Sequence, residues 1–416
     1  MSLLMRPLTQ LTVISAALMC VSVKANSQQF RLLEKDLAIV APLDGKYPVR
    51  VSDKLQSGQE IFPENWYRQI EKSFEKTPVG KALSYENERG DWKFISARVA
   101  PCSPLGNAPS HQTNALCWPE LRIVWQPIVR NIFVAARNAP FYADDRAVHT
   151  LYDVPVSQGL TSVEGEKAQF YLGKIKSFVS NPQPNTMALT KEELAEFVTL
   201  RNKVTQLLVA NTLNLRSTKI TTSQYSGHGI RPEYGDLEEE KNFKQRLLGF
   251  LSKYGAPSEI KALTAFSLPE GRDAPGIDEW IFLAFQGNKG DILPEDILLK
   301  SHVTGKTIFN LGPSSRASML RDDEALYDLP ASQEGAKEIN ESVLLFQRDS
   351  SKLGPLINDR TQRLVPNTTC ASCHKLNGLR FDFHNLSYLE DREVTISGRV
   401  TKDVSLDMEW LSQNLK

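Results

Sequence analysis

Cysteine, histidine and methionine are all scarce in this sequence, with five, six and six residues among 416. Each of these few potential ligands and nucleophiles therefore has to be accounted for one by one. Net charge is missing as well: 49 lysines and arginines balance 49 aspartates and glutamates. Nothing in that balance points to nucleic acid or an anionic surface as a partner. Beyond the N-terminus there is no apolar run long enough to cross a bilayer, so no transmembrane helix is expected in the mature chain. No Ser/His/Asp arrangement can be read from spacing. Gly227-His228-Gly229 misses the full dinucleotide fingerprint and reads as a loop. Asp144-Asp145 and Asp322-Asp323-Glu324 lack the ligand count and spacing of a calcium loop. What the chain does have is 41% apolar side chains, enough to bury a sizeable core in roughly two or three domains.

The first 25 residues read as a targeting segment. Arg6 gives a positive start, Leu11 to Val23 form a short apolar stretch, and Val23-Lys24-Ala25 resembles a small-residue cleavage site. The mature chain is expected to begin near Asn26, in the periplasm. A lipoprotein anchor at Cys20 is disfavoured because bulky Met19 precedes it, where such signals need a small side chain.

Near the other end stands Cys370-Ala371-Ser372-Cys373-His374. Two thiols at this spacing can add across the two vinyl groups of one porphyrin, and the next residue can place an imidazole on the iron. Cys370 and Cys373 are thus candidate thioether anchors for one covalent haem c, and His374 is the candidate proximal iron ligand. Half of a zinc site is the alternative, but with His384 as the nearest further donor the ligand set is unusual. A dithiol redox pair is another, yet the expected strand and helix context is missing.

From Pro366 to His374 the chain resembles the c-type cytochromes. The resemblance implies covalent haem, attachment completed outside the bacterial cytoplasm, single-electron transfer and a redox partner protein. The chain departs from the usual single-haem layout, because the motif lies close to the C-terminus and no methionine sits on an obvious loop beyond it. The sixth iron ligand therefore stays open. Met408 and His384 are the candidates after the motif, Met408 reading equally as a core residue of an amphipathic helix. His302, Met319 and Met187 lie upstream, and an empty position would permit peroxide or gas binding. Two further classes of function stay in view: a peroxidase-like haem oxidoreductase, and a partner-binding scaffold with a sensory haem.

With Cys20 leaving in the leader and Cys370 and Cys373 assigned to haem, Cys102 and Cys117 remain. In an oxidising compartment they are expected to pair, closing a small loop worth roughly 3 kcal/mol in the chain-entropy model.

The expected fold class is α+β: two similar mixed modules, at 26–235 and 236–330, followed by a small, mainly helical haem module at 331–416. Leu37 to Leu43 reads as a strand or extended lead-in, Pro63 to Lys76 as a helix, and Asp91 to Val99 and Glu120 to Val129 as strands. Tyr142 to Gly159 reads as turn-rich. Lys191 to Leu213 reads as a helix capped by Thr190 and Glu193, burying Leu194, Phe197, Val198, Val204, Leu207 and Leu208. Glu238-Glu239-Glu240 reads as a solvated first turn of another helix. Ala331 to Arg348 is expected to be helical, Val394 to Val400 strand-like, and Lys402 to Leu415 a helix with Val404, Met408, Leu411 and Leu415 on one face.

The two modules are suggested by matches in the same order. Asn65-Trp66 is echoed by Asn242-Phe243, and Lys81-Ala82-Leu83-Ser84 by Lys261-Ala262-Leu263-Thr264. Trp125-Gln126 is echoed by Phe285-Gln286, and the run from Leu151 to Gln158 by that from Leu326 to Gln333. The spacing indicates a duplication with a period of about 175 residues.

Overall fold

The computed structural model describes residues 32–74, 89–105, 116–130, 141–143, 147–180, 188–267, 281–295, 298–300, 307–310 and 398–415. All belong to the unit that begins at Leu32. The fold is α+β, built on an eight-stranded antiparallel sheet in the order β1-β2-β3-β5-β6-β7-β8, with β4 paired to the end of β3. These strands are β1 (Ala38–Val40), β2 (Trp92–Pro104), β3 (Cys117–Arg130), β4 (Phe141–Ala143), β5 (Ala147–Asp153), β6 (Ile260–Ser267), β7 (Ile281–Asn288) and β8 (Asp291–Glu295). A separate ladder joins β9 (Leu298–Lys300) to β10 (Thr307–Asn310).

Alternation along the strands sets the faces of the sheet. In β3, Leu121, Ile123 and Trp125 point into the main core, while Glu120 and Arg122 point to the opposite face. The registers Val99↔Leu121 and Arg98↔Arg122 extend the same division into β2. Tryptophans tie strands and helices together through their indole N–H groups. Trp125 Nε1 donates to Thr150 Oγ1 across β3 and β5 at 3.1 Å, and Trp118 Nε1 donates to the Val154 carbonyl at 2.8 Å. Trp66, on α2 (Glu64–Phe74), donates to the Gly290 carbonyl in the β7–β8 turn at 3.1 Å. That turn has Lys289 and Gly290 both at positive φ, the geometry that a two-residue hairpin favours.

The helices are α1 (Glu34–Leu37), α2, α3 (Ser162–Ser180), α4 (Lys191–Leu213), α5 (Leu237–Tyr254) and α6 (Gly398–Asn414). The helix at Lys191–Leu213 begins as expected, with Thr190 and Glu193 capping each other reciprocally. Its buried face also takes in Leu200, Arg201, Thr205 and Thr212, while Leu194 packs at the edge of the core. α5 starts from Asp236, whose carboxylate accepts from the Glu238 and Glu239 amides. Its first turn is solvated at Glu238, as the sequence suggested, but not at the next two acids. Glu239 and Glu240 are buried, because Glu239 pairs with Lys219 and Glu240 Oε1 accepts from the distant Tyr47 amide at 2.6 Å.

Two other expectations change. The stretch read as turn-rich contains β5, a strand paired on both sides, with Val148 and Tyr152 in the core. Its turn starts only at Pro155, whose carbonyl accepts from Gln158. The Asp153 carboxylate at the end of β5 pairs with Lys176 and Lys261. Val400 is helical rather than strand-like, since α6 begins at Gly398. The helix expected at Ala331 to Arg348, the match Lys81 to Ser84, the run Leu326 to Gln333 and the aspartates at 144–145 and 322–323 lie outside the described residues.

A helix followed by antiparallel strands occurs twice, as α2 with β2, β3 and β5 and as α5 with β6, β7 and β8. Trp66 and Phe243 lie on α2 and α5, and Trp125 and Phe285 on β3 and β7, all four within the core. Both runs share one sheet and one core, because β5 and β6 pair across residues 235 and 236.

A buried ionic knot ties the N-terminal strand to the α4–α5 connection. Arg231 and Glu233 are both fully buried and meet through two bonds of 3.0 and 2.8 Å. Tyr225 donates to Glu233 Oε1 at 2.8 Å, and its ring lies beneath the guanidinium groups of both Arg231 and Arg216. Arg216 in turn pairs with buried Asp36 at the start of the fold. Replacing one member leaves a buried charge facing a neutral group, so Glu233→Gln is expected to cost about 3–5 kcal/mol. Arg231→Met with Glu233→Leu should cost less than the two single changes summed. Urea unfolding of the three variants checks this, and additivity would contradict the pairing.

Candidate functional site

Cys370, Cys373, His374 and His384 lie outside the described residues, as do His302, Met319 and Met187. Three predicted site residues are described. Cys102 and Cys117 are joined by a disulfide with their Cα atoms 5.0 Å apart, bridging the ends of β2 and β3 as expected. Met408 lies on α6, partly buried and packed against the main core together with Val400 and Leu415. Its thioether thus has the surroundings of a packing residue.

α6 follows the Cys370–His374 run in the chain and is fastened to the main sheet. Asp403 and Asp407 stand four residues apart and so share one face of the helix. Both reach Arg98 on β2: Arg98 Nη1 meets Asp403 Oδ2 at 2.6 Å, and Nη2 and Nε meet Asp407 Oδ2 at 2.8 and 3.3 Å. The pairing is almost dry, with side-chain exposures of 12% for Arg98, 4% for Asp403 and 1% for Asp407. Val404 is fully buried beside the two acids. Further along, Trp410 lies under the Arg201 guanidinium of α4 at 5.0 Å, and Asn202 Nδ2 donates to the Asn414 carbonyl at 3.2 Å.

Beside this clamp, a row of charges crosses the same face of the sheet. Glu120 on β3 takes Arg122 Nε at 2.7 Å and Ser103 Oγ at 3.3 Å on one oxygen, and Lys261 of β6 on the other. Lys261 also lies 3.4 Å from Asp153, which Lys176 of α3 approaches at 3.1 Å. Burial by itself would raise the Glu120 pKa, but Lys261 and Arg122 overcome it and hold the carboxyl at about 2. Burial likewise pulls against the Lys261 ammonium, yet Asp153 and Glu120 raise its pKa above the ordinary value. Groups so firmly ionised neither take up nor release protons near neutrality, so the row fastens strand ends rather than transferring protons.

Among the described residues no group of three or more histidines, cysteines, aspartates or glutamates could hold a metal ion, and no helix is long and apolar enough to cross a membrane. His149 lies on β5 opposite Val124 and Thr264. Gly227 and Gly229, flanking His228, both take positive φ, as a turn requires.

The sequence reading missed Arg98, Asp403, Asp407, Arg201, Glu120 and Lys261. Signals existed for some: Asp403 and Asp407 carry helical spacing, and Arg98 and Glu120 sit inside otherwise alternating strands. Their pairing spans more than three hundred residues of chain and has no local signature.

No family model, no curated protein and no solved structure matches this chain.

Because Glu120 is held near 2 against an ordinary 4.5, its pairing contributes stability above about pH 4.5 that is lost as pH falls through about 2. The full swing amounts to about 3 kcal/mol. Glu120→Gln should be less stable at neutral pH, and its denaturation midpoint should vary less over that acid range than the unsubstituted protein's. Parallel pH profiles for the two proteins would remove Glu120 as the cause.

Proposed function

We propose that the protein is an exported carrier of one covalent haem c that passes single electrons to and from a redox partner protein. Cys370 and Cys373 are the thioether anchors and His374 the proximal ligand. The observation that carries this reading is the Cys-Ala-Ser-Cys-His run together with the Cys102–Cys117 disulfide. With those two cysteines joined to each other and Cys20 in the leader, the two thiols of the motif are the remaining pair, and two thiols followed by an imidazole is the donor set that haem c takes. When bound, the haem supplies a one-electron iron couple whose potential follows its axial ligands and surroundings. The packing of Met408 against the core favours His384 over Met408 for the distal position. The two successive helix-and-strand runs are read as a duplication that builds a rigid support for the haem-bearing segment. Its fixed points are Arg98 on β2 and Arg201 on α4, which hold the helix that follows that segment.

Two experiments test the reading. Cys370→Ala with Cys373→Ala is expected to abolish haem staining on a denaturing gel, and retained staining would free those thiols of the role. The visible spectrum of the exported protein is expected to be low-spin in both redox states, indifferent to carbon monoxide, and unchanged in Met408→Leu. A high-spin iron that binds carbon monoxide would instead favour the peroxidase-like reading.

A further inference from the structure

Arg201 has a second neighbour besides the C-terminal helix. Its guanidinium is buried within the fold, with 1% of the residue exposed, and Nη1 donates to Cys117 Sγ at 3.2 Å. The same group is braced from two sides: Asn202 Oδ1 accepts from Nε and Nη2 at 3.2 and 2.9 Å, and the Trp410 ring lies 5.0 Å below. Cys117 is fully buried and Cys102 is 2% exposed. A disulfide sulfur is a weak acceptor for such a donor. A thiolate at the same place would be a full anion at hydrogen-bond distance from a cation, in surroundings where that attraction is little screened.

We propose that the Cys102–Cys117 disulfide is a reducible couple whose reduced form is stabilised by Arg201, with Cys117 as the thiolate. The co-reactant is a dithiol. One of its sulfurs attacks Cys102 Sγ, the Cys102–Cys117 bond breaks, and Cys117 leaves as a thiolate against the guanidinium. The second dithiol sulfur then closes onto the first and releases Cys102. Two electrons pass from the dithiol to the protein; one of its protons goes to Cys102 and the other to solvent. A low-pKa leaving thiol departs readily, and a stabilised thiolate makes the couple more oxidising. Burial of both sulfurs slows the exchange, so the effect of Arg201 is read at equilibrium. Trp410 enters because it holds the guanidinium in place, which links the couple to the docking of α6. The proposal is independent of the haem reading, since none of its residues belongs to the motif.

The test equilibrates the full-length exported protein in buffers of reduced and oxidised dithiothreitol, followed by thiol alkylation and mass measurement of the peptides carrying Cys102 and Cys117. Arg201→Gln is expected to need a ratio of reduced to oxidised buffer about tenfold higher for half-reduction, a shift of about 30 mV. Arg201→Lys should stay close to the unsubstituted protein, and Trp410→Leu should fall between. An unchanged midpoint in Arg201→Gln overturns the proposal. A second measurement does not depend on that variant folding. In Cys102→Ser the lone Cys117 should show thiolate ultraviolet absorbance at neutral pH, whereas the lone Cys102 of Cys117→Ser should not. Absence of the thiolate signal in Cys102→Ser overturns the proposal equally.

Discussion

The antiparallel ladder between β5 and β6 is the contact on which the rest of the architecture depends. It joins Ala147–Tyr152 to Ile260–Phe266, and the chain between them has to place α3, α4 and α5 before the second strand can arrive. Closing so long a connection carries an entropic cost that rises only slowly with length, but it must be met by side chains buried on both faces of the pair. Val148 and Tyr152 on β5 and Leu263 and Ala265 on β6 meet that requirement in the core, and Leu151, Ala262 and Thr264 are buried on the other face. A slip of one residue would exchange those two sets, so the register is fixed by what each face must cover.

Apolar burial alone does not select one arrangement of such a sheet, and the buried ions add selectivity. Arg231 with Glu233, Arg216 with Asp36, Arg98 with Asp403 and Asp407, and Glu120 with Lys261 each join elements far apart in sequence, or fix the loop that does so. A charge in such a place is tolerated when its counter-charge arrives in good geometry. Misassembly that leaves any one of them alone is therefore penalised, and the ions act as tests of correct closure.

The sequence was legible where the structural signal is local. Thr190 and Glu193 announced α4, alternation announced β2 and β3, and the count of cysteines announced the Cys102–Cys117 bridge. α3 carries the same kind of signal as α4: Thr161 and Glu164 cap each other. Its stripe is harder to see because Val163 and Phe170 face solvent while small Ala168 is buried. β5 escaped notice because its apolar residues are flanked by aspartates and prolines that favour turns. The burial of Glu239 and Glu240 was invisible because Lys219 and the Tyr47 amide, which make it possible, come from elsewhere in the chain. The Cys-Ala-Ser-Cys-His run is the clearest feature of the sequence, because the signal it carries is local. The clamp around the next helix depends on Arg98 meeting two acids that lie 305 and 309 residues away.

Under the proposed export, that clamp imposes an order of events on a chain that crosses the membrane from its N-terminus. Arg98 crosses early, while Asp403 and Asp407 follow the Cys-Ala-Ser-Cys-His run and cross after it. Until they arrive the arginine has no helix to close upon, and the face of the sheet beneath α6 stays open. Under the proposed function, the thiols of the motif emerge during that interval, when the chain ahead of them is only partly folded and the helix behind them is still inside the cell. The last ion pairs to form would thus seal the molecule after prosthetic-group ligation, making the far end of the chain the timekeeper of its maturation.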